Sequence, residues 1–263
     1  QSQKRLNIAS PRLQIFTLRT PYLNVAGEFR QFSPRGGASK SPELLAYLLI
    51  EDRERGCRSD QVSAAIWPDL PPEKATVSFH QALYRLRQTI FQTPDYVVVR
   101  DGYYRVNPEY LDWCDALAFD VLYRRVANAP VEKRLDLQLE LLALNRGEFL
   151  ARIDLGEWGM TRRRSYERRF LETVSLAGQQ LLKVDEAHQT LAIVHEGLAR
   201  NFFREDLHQL VLQAYAQLGL HEDIKRHYFH LRDVLQQELG ISPDRRTTHL
   251  FQILTASRYP IRT

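Results

Sequence analysis

The chain has 263 residues, 44% hydrophobic and 26% charged, with a formal net charge of +4. That length suits two ordinary domains, and that balance a soluble, well-cored protein. No apolar run is long enough to cross a bilayer and no secretory leader is visible. Cys57 and Cys114 share neither a CxxC nor a metal spacing, which points to a reducing, cytoplasmic setting rather than a disulfide framework.

The chain opens with Gln1, and its single methionine is Met160. An initiator methionine is not normally trimmed before glutamine, so the sequence is expected to be a fragment lacking an upstream module. Residues 1–10 read as a lead-in. Leu13–Leu18 and Tyr22–Val25 are β-prone, and Gly27 supplies a turn, so two or three short strands are expected. Ser33–Ser39, with Pro34, Gly36 and Gly37, reads as a loop. Ser41 is expected to cap a helix that has Pro42 at its first position and buries Leu44, Leu45, Leu48 and Leu49. Gly56 is expected to end it. Ser59-Asp60 opens the next helix, with Val62, Ala65 and Ile66 inside. Pro68, Pro71 and Pro72 break the chain after that.

Ala75–Ile90 then places Phe79, Leu83, Leu86 and Ile90 on one side of a helix. Its other side carries hydrogen-bonding groups around one arginine, the chemistry that reads base edges in a major groove. Gln81 and Arg85 are the first candidates for base contacts, with Ser78, Tyr84 and Gln88 second. His80 and Arg87 flank that face and suit phosphates. Asp101-Gly102, between Tyr96–Arg100 and Tyr103–Val106, is a strong hairpin signal. Arg100, Tyr103 and Arg105 are candidates for DNA backbone or minor-groove contact. Tyr104 and Val106 are expected to face the core. Residues 1–111 carry 15 Lys+Arg against 11 Asp+Glu, whereas residues 112–263 carry 21 of each. All the positive excess therefore lies beside the candidate DNA reader.

The second half reads as helical pairs. Leu207, Leu210, Val211, Ala214, Tyr215 and Leu218 keep helical periodicity, and Ile224, Tyr228, Leu231, Leu235 and Leu239 form the next stripe. This pair approximates the 34-residue period of a tetratricopeptide repeat, with Asp185 in the place of a turn glycine in the preceding pair. Arg162, Arg163, Arg164, Arg168 and Arg169 are expected to be an ion-paired face, with Glu157, Glu167 and Glu172 in helical reach. His227 and His230 lack a third metal ligand at suitable spacing. No nucleophile elbow, triad order or obvious acid–base carboxylate pair is visible, which argues against an enzyme.

SPELLAYLL, SDQVSAAIWPDLPPEKA and Arg85-Leu86-Arg87 resemble the OmpR/PhoB-type winged helix, in the version found in the Streptomyces antibiotic regulatory protein (SARP) family. Leu111-Asp112-Trp113, Asp115–Phe119, Asn145–Leu150, Trp158 and Leu235–Pro243 resemble the bacterial transcriptional activator domain that follows it in that family. The resemblance covers about Leu13 to Leu254. It implies that Asp69, Glu73 and Lys74, in the proline loop, meet RNA polymerase.

The expected fold is mainly α with small β elements. A winged helix-turn-helix domain over residues 11–108 is followed by an all-α, tetratricopeptide-like domain over 111–258. The expected function is sequence-specific transcription regulation, as an activator. Expected partners are double-stranded DNA with direct-repeat or paired half-sites, RNA polymerase and a second protomer. No cofactor, metal or membrane is expected. The alternative is a protein-interaction or ligand-sensing scaffold whose winged helix does not use DNA.

Overall fold

The computed structural model describes residues 12–32, 40–92 and 95–256. The lead-in, the Gly-Gly loop over 33–39 and the outer ends of the two expected domains lie outside them. The fold is mainly α with two small sheets. No helix among the described residues is long and apolar enough to cross a membrane. The chain divides into two compact units, one of Gln1–Arg125 with Ala143–Glu167, the other of Val126–Leu142 with Arg168–Thr263.

In the first unit, β1 (Leu13–Phe16), β2 (Tyr22–Val25) and β3 (Glu28–Gln31) form an antiparallel meander. Alternation buries Leu13, Ile15, Leu23 and Val25 on one face. The other face stacks Phe16 on Tyr22, with centroids 4.2 Å apart. Ala26 and Gly27 turn the second hairpin with φ of 53° and 93°, a pair of left-handed residues that suits strand twist.

The sheet has a fourth strand that periodicity did not reveal. β7 (Leu111–Cys114) pairs parallel with β1. It delivers Asp115, the first residue of α4 (Asp115–Asn128), beneath the bend that follows β1. The Asp115 carboxylate is fully buried. It accepts hydrogen bonds from the backbone N–H of Thr17 at 2.7 Å, Leu18 at 2.9 Å and Ala116 at 2.8 Å, and from the Thr17 hydroxyl at 2.8 Å. Burial raises its pKa, and these donors oppose that rise.

The helical part of the first unit is α1 (Ser41–Ile50), α2 (Ser59–Ile66) and α3 (Pro72–Arg85), joined by a second sheet in the order β4-β6-β5. β4 is Cys57–Arg58, β5 Val97–Arg100 and β6 Tyr103–Val106. Two punctuation marks differ from expectation. Ser41 lies inside α1, and its buried hydroxyl donates to the Ala82 carbonyl of α3 at 3.3 Å, so Lys40 holds the cap position. α1 stops at Ile50, and Gly56 instead closes the following turn at φ +91°. A Cβ there would lie 2.8 Å from the Tyr104 carbonyl oxygen, so glycine admits the wing strand. α2 opens with the Arg58 N–H donating to the Gln61 side chain at 3.2 Å, not with a Ser59 or Asp60 cap.

After α5 (Val131–Leu144), residues 143–167 return to the first unit. Leu150 N–H donates to Thr17 O at 2.7 Å and Ala151 N–H to Arg19 O at 3.1 Å. Phe149 and Leu150 are buried. The first turn of α6 (Glu157–Lys183) is gripped by α1. Buried Glu43 accepts from Gly156 N–H at 2.9 Å and Gly159 N–H at 3.1 Å, with Lys40 Nζ 3.4 Å away. The anion sits where a helix start offers free donors. Burial still raises the Glu43 pKa against these partners. Glu51 accepts from the Trp158 indole at 2.8 Å and pairs with Arg162. Arg163 donates to the carbonyls of Phe149 at 2.9 Å and Leu150 at 2.6 Å, and meets Glu148 at 3.4 Å. Two of the five arginines, Arg162 and Arg163, are therefore structural, with Glu51 and Glu148 as their partners.

The second unit contains α7 (Ala187–Arg200), α8 (Glu205–Gln217), α9 (His221–Leu239) and α10 (Arg245–Ala256). Asp185 turns the chain before α7 at φ +61°, as its place in the repeat predicted. The expected stripe of α8 is buried from Leu207 to Ala214 but only half-buried at Tyr215 and Leu218, and that of α9 is buried as far as Leu235, while Leu239 is exposed. Gly240 ends α9 in the left-handed conformation, with Gly240 N–H to Gln236 O and Ile241 N–H to Leu235 O. Glu205 then accepts from Asp244 N–H at 2.8 Å. The ELG-x-x-P run thus stops α9 and pins the next segment.

Helical spacing sets His227 beside His230, but in the structure half-buried His227 meets the fully buried His208. His208 Nδ1 lies 2.8 Å from His227 Nε2, and His208 Nε2 lies 2.7 Å from Phe202 O. With Nε2 donating to that carbonyl, His208 Nδ1 accepts from His227. Desolvation lowers both pKa values, that of His227 from 6.5 to about 3, with His208, His195 and His230 adding repulsion. The unfolded chain therefore takes up these protons first. The contribution is fully present above about pH 6.5 and is lost as pH falls toward about 3. Helical circular dichroism is expected to melt at progressively lower temperature over that range, and His227→Gln to flatten the trend. A trend as steep in the variant would assign it to other groups.

Candidate nucleic-acid interface

The reader helix is set from its buried side. Ala75, Phe79, Ala82, Leu83 and Leu86 are buried, and Phe79 takes the Tyr104 ring edge-on at 4.9 Å. Tyr104 therefore faces inward, and Val106 is buried, as alternation predicted. Helix α3 does not run regularly to Ile90. From Leu86 it continues as a π-helical turn closed by Phe91 N–H to Leu86 O at 2.8 Å. Arg30 of β3 reaches this end and donates to Ile90 O at 2.9 Å and Phe91 O at 3.1 Å. Those carbonyls lack helical partners, and the guanidinium supplies charge-assisted donors. Arg30 and Ser41 thus hold the reader helix from two elements, and no local sequence signal marks either.

His80, Gln81, Tyr84, Arg85 and Gln88 are exposed and Ser78 is half-buried. Arg87 departs from the expected phosphate contact. It is half-buried and donates to Val97 O of β5 at 2.7 Å, tying the π-turn to the wing. The wing itself is a hairpin whose turn residues, Asp101 and Gly102, have φ of 52° and 78°. Arg100, at its tip, is exposed. Tyr103 carries the Arg55 guanidinium over its ring at 4.3 Å. Arg105 is half-buried and donates to Glu54 O at 2.8 Å, so it braces the loop before β4 instead of standing free.

Two exposed arginines missed in the sequence join this edge. Arg55 lies over Tyr103, and Arg58, in β4, pairs with Asp60 at 3.3 Å. The RERGCR run was their signal, but it gains meaning only through the pairing of Arg58 with Tyr103 in β4–β6. Asp69, Glu73 and Lys74 are all exposed on the proline loop and the start of α3. Among the described residues no cluster of three or more metal-ligating side chains occurs.

Three helices, the last with a buried rear and an open polar front, and a hairpin tied to its end define a winged helix-turn-helix. In the same chain a second unit of helical hairpins follows. Comparison in sequence places this combination more closely. A profile of the bacterial transcriptional activator domain matches residues 114–254, more than half of the chain, and the chain belongs to that family of bacterial transcription regulators. No curated protein matches the chain in sequence. In structure it is similar to Mycobacterium tuberculosis EmbR, solved in complex with a low-affinity phosphopeptide, with a TM-score of 0.67 at 19% identity over 95% of this chain. It spans 66% of the length of that protein. A winged helix followed by this activator domain is the arrangement of SARP-type regulators. The matched range begins inside β7, and so includes Asp115, Gly156 and Gly159 of the first unit.

Proposed function

We propose that this chain is a sequence-specific DNA-binding transcription regulator of the activating kind, and not an enzyme. The observation that carries this reading is the division of α3 into a rear fixed by core packing and a front of exposed amide, hydroxyl and guanidinium groups. In this reading α3 enters the major groove and the wing follows the backbone. Gln81 and Arg85 contact bases, Arg100 and Arg55 neutralise phosphates, and Arg87 positions the helix. Asp69, Glu73 and Lys74 form the surface offered to RNA polymerase. A single base-reading arginine makes specificity per protomer modest, so a dimer or tandem protomers on direct repeats supply the rest.

Arg85→Ala is expected to weaken specific binding by about 1–3 kcal/mol and to relax the preference at one base. Gel-shift titration at several salt concentrations reads this directly. Binding of the unaltered chain weakens steeply with salt, with a slope that counts phosphate contacts. Equal specific affinity in the variant would remove Arg85 from base reading. Negligible DNA affinity at every salt would favour the scaffold alternative.

A further inference from the structure

The front of α3 is not uniformly polar. Val77 and Tyr84 are 56% and 66% exposed, although both are large and apolar or aromatic. They are seven residues apart, two helical turns, and so lie in one row. Gln81 lies in the middle row of the exposed front. Ser78 and Arg85, also seven apart, form a third row on the far side. Helical geometry therefore sorts the front by chemistry: from exposed His80 on one rim, through the Val77–Tyr84 row and the Gln81 amide, to Ser78 and Arg85 on the other. Scattered surface valines are ordinary. Here, however, the exposed valine and tyrosine share one row, bordered outside by His80, on the face that the proposed function turns toward DNA.

The major groove has one apolar feature that distinguishes bases, the C5-methyl of thymine. Guanine offers the paired acceptors that suit arginine, and adenine the donor–acceptor pair that suits glutamine. A helix lying along the groove turns its two edges toward opposite strands. Along its axis Val77 and Tyr84 are separated by about 10 Å, at about 1.5 Å per residue. That equals about three base-pair steps of about 3.4 Å.

Resting on the DNA-binding reading above, we propose that α3 reads a strand-asymmetric half-site in which Val77 and Tyr84 cover thymine methyls about three base pairs apart on one strand. Arg85 faces a guanine on the other strand, beside the second thymine. Gln81 takes an adenine between them. Val77 is the specificity residue that the hydrogen-bonding inventory of the helix omits. Gln88 falls in the π-turn, outside the three rows, and adds no base to this half-site.

The test begins with selection of bound sequences from a random DNA pool by the full chain. Affinity is then measured for the selected site with each conserved thymine replaced by deoxyuridine, which removes the methyl alone. Replacement opposite Val77 is expected to weaken binding about three- to five-fold, the worth of one buried methyl group. Val77→Ala, on an exposed helical position that alanine suits, is expected to bind the thymine and deoxyuridine sites equally. A selected site that holds no such thymine, or that the unaltered chain binds equally with deoxyuridine, overturns the assignment of Val77 and leaves the DNA-binding reading standing. A pool that yields no enriched sequence overturns both.

Discussion

Asp115→Ala is expected to destabilise the first unit by about 3–5 kcal/mol, because it leaves buried donors of Thr17, Leu18 and Ala116 without an acceptor. Part of the loss is offset, since the raised pKa shows that the carboxylate itself resists burial. Asp115→Asn is no remedy. Both carboxylate oxygens accept backbone N–H groups, so an amide nitrogen must oppose one of them. All three tryptophans, Trp67, Trp113 and Trp158, lie in this unit, so their fluorescence reports its urea unfolding separately from the helical repeats. A midpoint within experimental error of the unaltered chain would show that the bend after β1 is held by its flanking strands alone. The acid response of this group is opposite in sign to that of the histidine pair. With its folded pKa raised above 3.8, Asp115 adds stability below that value and loses it as pH rises through the folded pKa.

Gly156→Ala is expected to cost about 2–4 kcal/mol, by overpacking against backbone. A Cβ at that position would lie 2.5 Å from the Ile66 carbonyl oxygen, 3.1 Å from its carbon and 3.2 Å from its Cα. None of these atoms can swing aside as a side chain does. The displaced turn would also pull Gly156 N–H and Gly159 N–H away from Glu43. Gly178→Ala is the internal comparison. Its nearest neighbour is the flexible Leu210 Cδ1 at 2.9 Å, and its cost is expected to be smaller. The same fluorescence-monitored unfolding, with circular dichroism for Gly178→Ala, ranks the two. A smaller loss for Gly156→Ala would mean that α2 and the start of α6 separate easily.

What could be read from sequence was whatever depends on near neighbours. The buried side of α3 follows from 3.6-residue spacing, and the wing turn from the tolerance of Asp101 and Gly102 for positive φ. The turn before α7 follows from Asp185 for the same reason. What was misread depends on partners far along the chain. Ser41 looks like a cap locally, but its acceptor is Ala82. Arg87 sits on the rim of a helical wheel, yet Val97 O takes its guanidinium. β7 has too little alternation to announce a strand and becomes one only beside β1. The glutamate that receives the start of α6 precedes Gly156 by 113 positions. Asp115 and Trp158 were marked by family resemblance as positions of interest. Their work of bending β1 and holding Glu51 was visible only in three dimensions.

The discontinuous first unit has a consequence for synthesis. Helix α3 is fully translated long before the segment that completes its own unit. Between Glu43 and Gly156 the ribosome adds 113 residues, which at about 5–20 residues per second takes about 6–23 s. During that interval Glu43 remains hydrated, and β1 offers an unpaired edge until β7 arrives. Synthesis order thus places completion of the first unit after emergence of the activator domain's opening helices. A nascent or truncated chain ending before Gly156 carries all of α3 on a unit that lacks the donors for Glu43.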